Sequence, residues 1–187
     1  MLEVKIFTLY PDLFPGPLDT GIFKKAQKSK IWNLKVINIR DYSKDKHGAV
    51  DDTPFGGGNG MLLRPDVLAS ALDDNTKKGE RIIYLSPRGK KFDQNTAKSL
   101  SKEKNLNLIC GHFEGVDQRV LETRNIEEYS LGDFVLSGGE PASFVFVDAL
   151  VRLLPGVLGN EDSVKEESFE NHLLEYPQYT KPREWEG

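Results

Sequence analysis

Cysteine is almost absent from this chain: of 187 residues only Cys110 is a cysteine, so no intramolecular disulfide can form. Long apolar stretches are also missing, because the most hydrophobic segment, 142–158, is interrupted by Asp148, Arg152 and Pro155 and is too short to span a bilayer. The N-terminus, MLEVKIFTLY, has no basic segment followed by an apolar one, as a secretory signal would have. These absences predict a cytoplasmic protein with no membrane contact and no disulfides.

Sequence signatures of phosphate and metal chemistry are missing as well. The glycine-rich stretch FGGGNGM lacks the Gly-Lys-Ser/Thr ending of a Walker loop, and no Gly-x-Gly-x-x-Gly follows a predicted strand. His47, His112 and His172 are scattered without metal-ligand spacing. Cys110 lies in an apolar run, which favours a buried hydrophobic role over that of a nucleophile. An ATPase, a dinucleotide enzyme and a metal-dependent hydrolase are therefore disfavoured.

Positive charge is unevenly distributed along the chain, whose net charge is −4. Residues 1–110 carry 19 Lys and Arg against 13 Asp and Glu, whereas residues 111–187 carry 6 against 16. A basic part suits contact with phosphate groups. Solvated faces without a binding role would also carry such charges, so both interpretations stay open.

Apolar runs typical of strands alternate with amphipathic runs typical of helices. Strands are predicted at VKIFTL, LKVINIR, RIIYLSP, NLNLICG and YSLGDFVL, and helices around Leu18–Ala26 and at RPDVLASALDD, DQNTAKSLSKE, VDQRVLET and PASFVFVDALVRLL. This alternation predicts an α/β fold with a mostly parallel sheet flanked by helices.

Three of the predicted strands end in loops that are poor in side chains. RIIYLSPRG ends at Gly89, LICGHFEG at Gly111 and Gly115, and FVLSGGEP at Gly138-Gly139. The carboxyl ends of parallel strands lie along one edge of a sheet, where ligands bind, and bare backbone suits a flat base such as adenine. Adjacent glycines permit positive φ angles and close approach of another group, although a plain strand-to-helix turn would use them too.

Five ordered motifs carry a resemblance to a known family: TPFGGGNGM, YLSPRGKKFDQ, CGHFEGVDQRV, YSLGDFVLSGGEP and RLLPGVLGNEDS. The sequence resembles the bacterial tRNA (guanine-N1)-methyltransferases, the TrmD family, from Val4 to about Pro182. The resemblance implies a SPOUT-type α/β fold with a deep trefoil knot. It also implies methyl transfer from S-adenosylmethionine to N1 of the guanosine at position 37, immediately 3′ of the anticodon.

The domain organisation is likewise an implication of the resemblance. Residues 1–158 are expected to form the knotted methyltransferase domain and residues 159–187 an interdomain linker. A further C-terminal, tRNA-binding domain is expected to be missing from this chain.

The cofactor site is carried over position by position from the family. It comprises Tyr84, Leu85, Ser86, Pro87, Gly111, Phe113, Glu114, Gly115, Leu131, Gly132, Asp133, Phe134, Val135, Leu136, Gly138 and Gly139. Two neighbouring positions depart from the family pattern, since Phe113 stands where tyrosine is frequent and His112 where arginine is frequent. These departures remove a hydroxyl and a fixed charge.

The reacting groups are implied in the same way. Arg152 is the expected partner of guanine O6, because guanidinium matches guanine acceptors and keeps its charge. Glu167, in place of a family aspartate, is the expected general base for the N1 proton, with Glu166 the rival. Glu114 is expected near the methionine end of the cofactor, and a magnesium ion is an open expectation with no ligands assigned.

The expected partners are tRNA and a second copy of the chain. Asp51, Asn59 and Gly60 are the candidates for holding the target base and its neighbours. The helix ASFVFVDALVRLL carries Phe144, Phe146, Val147, Leu150, Val151 and Leu154, more apolar surface than one sheet face should cover, which predicts a homodimer with the active site at its interface. The alternatives are a knotted RNA methyltransferase acting on ribose, and a non-catalytic module that binds tRNA or an adenosyl ligand.

Overall fold

The computed structural model describes residues 1–158 and 177–185. Seven strands and five α-helices follow one another in the order β1 Leu2–Thr8, α1 Gly21–Lys28, β2 Trp32–Asn38, β3 Asp51–Asp52, β4 Leu62–Leu63, α2 Pro65–Asn75, β5 Arg81–Lys91, α3 Gln94–Leu100, β6 Asn105–Ile109, α4 Gln118–Thr123, β7 Glu127–Ser130 and α5 Gly139–Val151. Short 3-10 helices at Pro11–Leu13, Gly16–Asp19 and Ile39–Tyr42 complete the described elements.

The main sheet has five parallel strands in the order β2-β1-β6-β5-β7. Parallel neighbours require crossover connections, and the helices between the strands supply them. β3 and β4 form a separate antiparallel pair. The predicted α/β class with a mostly parallel sheet is therefore confirmed, whereas the threading of the chain into a knot stays a prediction.

Each face of the sheet has its own hydrophobic core. On one face, Leu2, Val4 and Ile6 of β1 pack with residues of α1, α3 and α5. On the other face, Phe7 packs with residues of α2 and α4, including Leu68. The alternation of side chains along a strand divides β1 between the two cores, and the result is a helix–sheet–helix sandwich.

One predicted strand is wrong over most of its length. Only Tyr129 and Ser130 of the run YSLGDFVL belong to β7, which ends at Ser130, and residues 131–138 form a loop whose members from Asp133 to Ser137 are exposed. Its apolar side chains face a pocket and solvent instead of a core, so apolar character alone misled the prediction. The helix after it begins at Gly139, two residues before the predicted start.

The argument for surplus apolar surface on α5 is also wrong. Phe146, Val147, Leu150 and Val151 are all fully buried within the single chain, because both the sheet and α3 cover the helix. Val145, 57% exposed, is the clearly exposed apolar residue of α5. The homodimer stays a prediction, but this helix composition does not support it.

The predicted linker and much of the reaction machinery assigned to it lie outside the described residues. Glu166 and Glu167 fall in the undescribed range 159–176, as does His172. The division of the chain at residue 158 therefore stays a prediction.

Candidate active site

A pocket of ≈ 230 Å³ lies at the carboxyl edge of the sheet, where β5, β6 and β7 end. It is lined by Tyr84, Leu85, Ser86, Pro87, Gly111, His112, Phe113, Glu114, Gly115, Tyr129, Ser130, Leu131, Gly132, Phe134, Val135, Leu136, Ser137, Gly138, Gly139 and Ala142. Of the sixteen predicted cofactor residues, Asp133 alone is absent from this lining. The structure thus brings the three predicted loops together around one cavity.

The first wall is a bulge in β5. β5 pairs with β7 through Tyr84 and Leu85, leaves the ladder, and resumes pairing at Lys90. Gly89 closes the bulge where a Cβ would collide with the main chain of Tyr129. Main-chain atoms cannot rotate away as a side chain can, so the bulge requires glycine at position 89. The bulge places Ser86 and Pro87 in the lining of the pocket.

The second wall is the turn after β6, at 111–115. Phe113 and Gly115 have positive φ angles of 60° and 121°, and the N–H of Gly115 donates to the carbonyl of His112 at 3.1 Å. A Cβ on Gly111 would lie 2.5 Å from the Tyr84 ring, so the bare backbone lets that ring lie beside the turn. Burial raises the pKa of the Tyr84 hydroxyl, which therefore stays protonated at neutral pH.

The third wall contains the two adjacent glycines, which allow two segments of main chain to lie close together. Gly138 has an extended φ of −167°, and neither glycine has a positive φ, so the freedom to adopt positive φ angles is not used here. A Cβ on Gly139 would lie 2.6 Å from Cys110 Cα and 2.8 Å from Gly111 N. The N–H of Gly139 donates to the carbonyl of Gly111 at 2.9 Å. Here one segment of chain crosses directly over another.

The loop that leads into this crossing leaves backbone donors free. In residues 1–158 and 177–185, the N–H groups of Leu136, Ser137 and Gly138 donate to no protein acceptor. Phe134, Val135 and Leu136 nearby are 54%, 86% and 42% exposed. Exposed apolar side chains beside free peptide donors are the combination that binds a flat, polar-edged ring.

Beneath the pocket lies a buried polar group. Glu140, 1% exposed, accepts a hydrogen bond from Thr8 Oγ1 at 2.5 Å, and its other oxygen lies 2.7 Å from His112 Nε2.

Burial, with Glu140 close by, raises the pKa of the Cys110 thiol strongly, which rules out a thiolate nucleophile and agrees with the predicted hydrophobic role.

Five lining residues were not among the predicted site residues: His112, Tyr129, Ser130, Ser137 and Ala142. His112 and Ser137 lie between predicted residues and could have been found by treating each motif as continuous. Tyr129 and Ser130 begin the motif YSLGDFVLSGGEP, and the carried-over set started one residue after them, at Leu131.

The predicted base-binding residues lie beside the pocket and not in its lining. Asp51 lies in β3, opposite Leu63 of β4, while Asn59 and Gly60 belong to the exposed glycine-rich loop. That loop reaches the pocket at its end, since a Cβ on Gly60 would collide with the side chain of Glu114 and the N–H of Glu114 donates to the carbonyl of Met61 at 2.9 Å. Glu114 therefore stands between the loop and the pocket.

Arg152 and the pocket lie at opposite ends of one helix. Arg152 follows the C-terminal end of α5, whereas Gly138, Gly139 and Ala142 bring the N-terminal end to the pocket. A helix of 13 residues is about 20 Å long. Arg152 is therefore remote from the pocket of its own chain.

No metal site accompanies Glu114 in the described part of the chain. No group of three or more His, Cys, Asp and Glu side chains among residues 1–158 and 177–185 is arranged to hold a metal ion. The expected magnesium ion thus finds no protein ligand set in that part of the chain. Likewise, none of the described helices is long and apolar enough to cross a membrane.

Comparison with known proteins finds the same similarity over the whole chain. Residues 2–187 match the family model described as tRNA (Guanine-1)-methyltransferase TrmD. A tRNA (guanine-N(1)-)-methyltransferase of Pelagibacter ubique is 67% identical over 186 residues, which cover 100% of this chain and 82% of that protein. Proteins of the same name from Wolbachia pipientis and Bartonella henselae are 52% and 53% identical over 98% and 99% of this chain, and over 81% and 79% of their own lengths.

Proposed function

The chain belongs to the tRNA (guanine-1)-methyltransferase family, and we propose that it transfers the methyl group of S-adenosylmethionine to N1 of guanosine 37 of tRNA, immediately 3′ of the anticodon. The observation that carries this proposal is the glycine-walled pocket at the sheet edge, formed by the segments to which the family resemblance assigns the cofactor. Since tRNA is made and used in the bacterial cytoplasm, the reaction is proposed to occur there.

The pocket fits an adenosyl ligand in shape and in chemistry. Gly111 and Gly139 remove the side chains that would fill it, and the N–H groups of Leu136, Ser137 and Gly138 offer donors to ring nitrogens. Phe134 and Leu136 offer apolar surface to the flat ring. When bound, S-adenosylmethionine supplies an electrophilic methyl group.

Three side chains have separate roles at the guanine that accepts the methyl group. Arg152 neutralises the negative charge that develops on O6 when N1 is deprotonated. Glu167, outside the described residues, accepts the N1 proton. Glu114 stands between the pocket and the glycine-rich loop, where Asn59 and Gly60 are placed to hold the nucleotide.

Because Arg152 is separated from its own pocket by the length of α5, we assign it to the pocket of a second copy. In a two-fold dimer, the C-terminal end of α5 of each copy would lie toward the pocket of the other copy, so the dimer would contain two such sites. The proposed enzyme is therefore a homodimer with its active sites at the interface.

A methyl-transfer assay tests the function directly. Unmodified tRNA is incubated with the protein and methyl-labelled S-adenosylmethionine, and the nucleosides are separated by mass spectrometry. The proposal requires the label on N1-methylguanosine from position 37. Label on a ribose would favour the other class of knotted methyltransferase, and cofactor binding without transfer to any tRNA would favour a non-catalytic module.

A further inference from the structure

Glu140 is a carboxylate enclosed by protein, and its two oxygens have different partners. Oε1 accepts from the Thr8 hydroxyl at 2.5 Å, and Oε2 lies 2.7 Å from His112 Nε2. The Thr8 hydroxyl oxygen in turn accepts from the N–H of Tyr10 at 2.9 Å. This network joins the end of β1, the turn after β6 and the start of α5 at one point, and both carboxylate oxygens are satisfied.

The same contacts determine the orientation of the His112 ring. A carboxylate only accepts hydrogen bonds, so the 2.7 Å contact between Oε2 and Nε2 suits the His112 tautomer that carries its proton on Nε2. The Tyr10 ring packs edge-on against the imidazole, with centroids 4.8 Å apart, and limits its rotation. In the described part of the chain no residue hydrogen-bonds Nδ1, so that nitrogen is available on a side chain that lines the pocket.

His112 and Glu140 both pack closely against the main chain at Gly138. A Cβ at this position would collide with Cε1 of His112 and lie 2.8 Å from Oε2 of Glu140. The histidine and the carboxylate therefore occupy the space that the absent side chain leaves. One residue further on, the N–H of Gly139 binds the carbonyl of Gly111, so the second and third pocket walls are held together beside the same pair.

We propose that Glu140 is a positioning residue for cofactor binding: it holds Nε2–H of His112 and thereby fixes the imidazole, with Nδ1 available to the ligand, between the two glycine walls. The proposal rests on the assignment of the pocket to S-adenosylmethionine. Glu140 itself, 1% exposed, does not line the cavity and acts through His112. A histidine held by a buried carboxylate through one nitrogen presents its other nitrogen in a fixed tautomer and direction.

The first test is spectroscopic and needs no ligand. The 187-residue chain has three histidines, so a long-range ¹H–¹⁵N spectrum of the labelled protein resolves each ring, and His112→Gln identifies the signal of His112. We expect Nε2 of His112 to be protonated in the wild type and its shifts to change in Glu140→Gln. A wild-type ring protonated at Nδ1 alone overturns the proposal, whether or not any variant folds.

The second test is affinity, measured by calorimetry with S-adenosylhomocysteine, the demethylated product. Glu140→Gln keeps the size of the side chain but removes one acceptor of a charged hydrogen bond, so we expect Kd to rise about tenfold or more. Ser143→Ala is the matched control, because Ser143 Oγ donates to the carbonyl of Glu140 at 2.7 Å in the same buried turn and lies outside the pocket lining. It should lower the melting temperature and leave Kd unchanged.

A double-mutant cycle separates positioning from support of the fold. If Glu140 acts through His112, Glu140→Gln should have little effect on Kd in a His112→Ala background. An equal loss of affinity in both backgrounds, or an equal rise in Kd for Ser143→Ala and Glu140→Gln, overturns the proposal. Failure of the wild type to bind S-adenosylhomocysteine would overturn the cofactor assignment, while the nitrogen spectrum would still decide the role of Glu140.

Discussion

Gly139 is a pocket-lining residue that cannot accept a side chain. Its absent Cβ would meet main-chain atoms of Cys110 and Gly111 at 2.6 and 2.8 Å, and main chain cannot rotate away as a side chain can. We therefore expect Gly139→Ala to lower the free energy of unfolding by about 3 kcal/mol or more and to abolish cofactor binding. Urea denaturation followed by circular dichroism measures the first effect, and calorimetry the second.

Gly79→Ala is the control for Gly139→Ala. Gly79 has a φ of 90° and nothing within 4 Å of the position a Cβ would take, so alanine there should cost only about 1–2 kcal/mol of backbone strain. If Gly139→Ala is no less stable than Gly79→Ala, the two chain segments do not cross as closely as the structure places them.

Glu167 carries the residue-scale prediction on chemistry. Glu167→Gln removes the basic oxygen while keeping the size of the side chain, so the single-turnover rate should fall by about 100-fold or more with the cofactor Kd unchanged. Glu166→Gln is the matched control in the same acidic run. If the control slows the reaction and Glu167→Gln does not, the base is Glu166, and if neither slows, it lies elsewhere.

At the scale of elements, an apolar segment was predicted correctly where it packs in the hydrophobic core and incorrectly where it lines the pocket. β1, β5, β6 and α2 were predicted within a few residues, apart from the far end of β5, because burial leaves a periodic pattern. The run 131–136 has the same apolar character but serves a pocket wall, and periodicity does not distinguish the two uses. Site residues that lie within one continuous motif could be predicted from the sequence. The hydrogen bond between Thr8 and Glu140 could not, because these residues are 132 positions apart in the sequence and meet only in the folded chain.

The edge pair β5–β7 should show a pH-dependent contribution to stability. Arg81 donates from Nε and Nη2 to Glu127 at 2.7 and 2.6 Å, and this hydrogen bonding holds the pKa of Glu127 below its ordinary 4.5. A carboxyl group with a lowered folded-state pKa stabilises the fold above its ordinary pKa, and that contribution is lost as the pH falls through the lowered value.

Glu127→Gln should therefore be less stable than the wild type at pH 7, by about 1 kcal/mol because the pair is partly exposed, and the difference should shrink below pH 4.5. Thermal unfolding between pH 7 and pH 3 measures it. Glu122→Gln is the control, since the Glu122 carboxylate accepts from the Gln118 amide instead of a guanidinium. A difference for Glu127→Gln that stays constant across this range would contradict the assigned pairing.

For the whole molecule, the position of Arg152 predicts complementation between defective chains. Arg152→Ala leaves the pocket intact, and Ser137→Trp blocks the pocket from an exposed loop residue while leaving Arg152 intact. Each homodimer should be inactive. In a heterodimer with shared sites, one of the two sites combines an open pocket with a partner's Arg152, so an equal mixture should recover about a quarter of wild-type activity.

The control for complementation is the assembly itself. Mixed chains are co-expressed with different affinity tags, and light scattering of the purified product reports its mass. If each subunit uses its own Arg152, the heterodimer has no complete site and no activity returns. A stable monomer at micromolar concentration would contradict the dimer and the shared site together.

The order of strands in the sheet has a consequence for biogenesis. β1 is an interior strand and pairs with the central strand β6 across about a hundred residues of chain, from Glu3 with Asn105 to Phe7 with Ile109. A ribosome must therefore synthesise the chain as far as β6 before β1 and β6 can pair, and α5 must emerge before Gly139 can meet Gly111. Long-range parallel pairing is slow to form and leaves strand edges unprotected in the meantime. Nascent chains that stop short of α5 should accordingly be the forms that chaperones bind, and the ability to bind ligand should arise only late in translation.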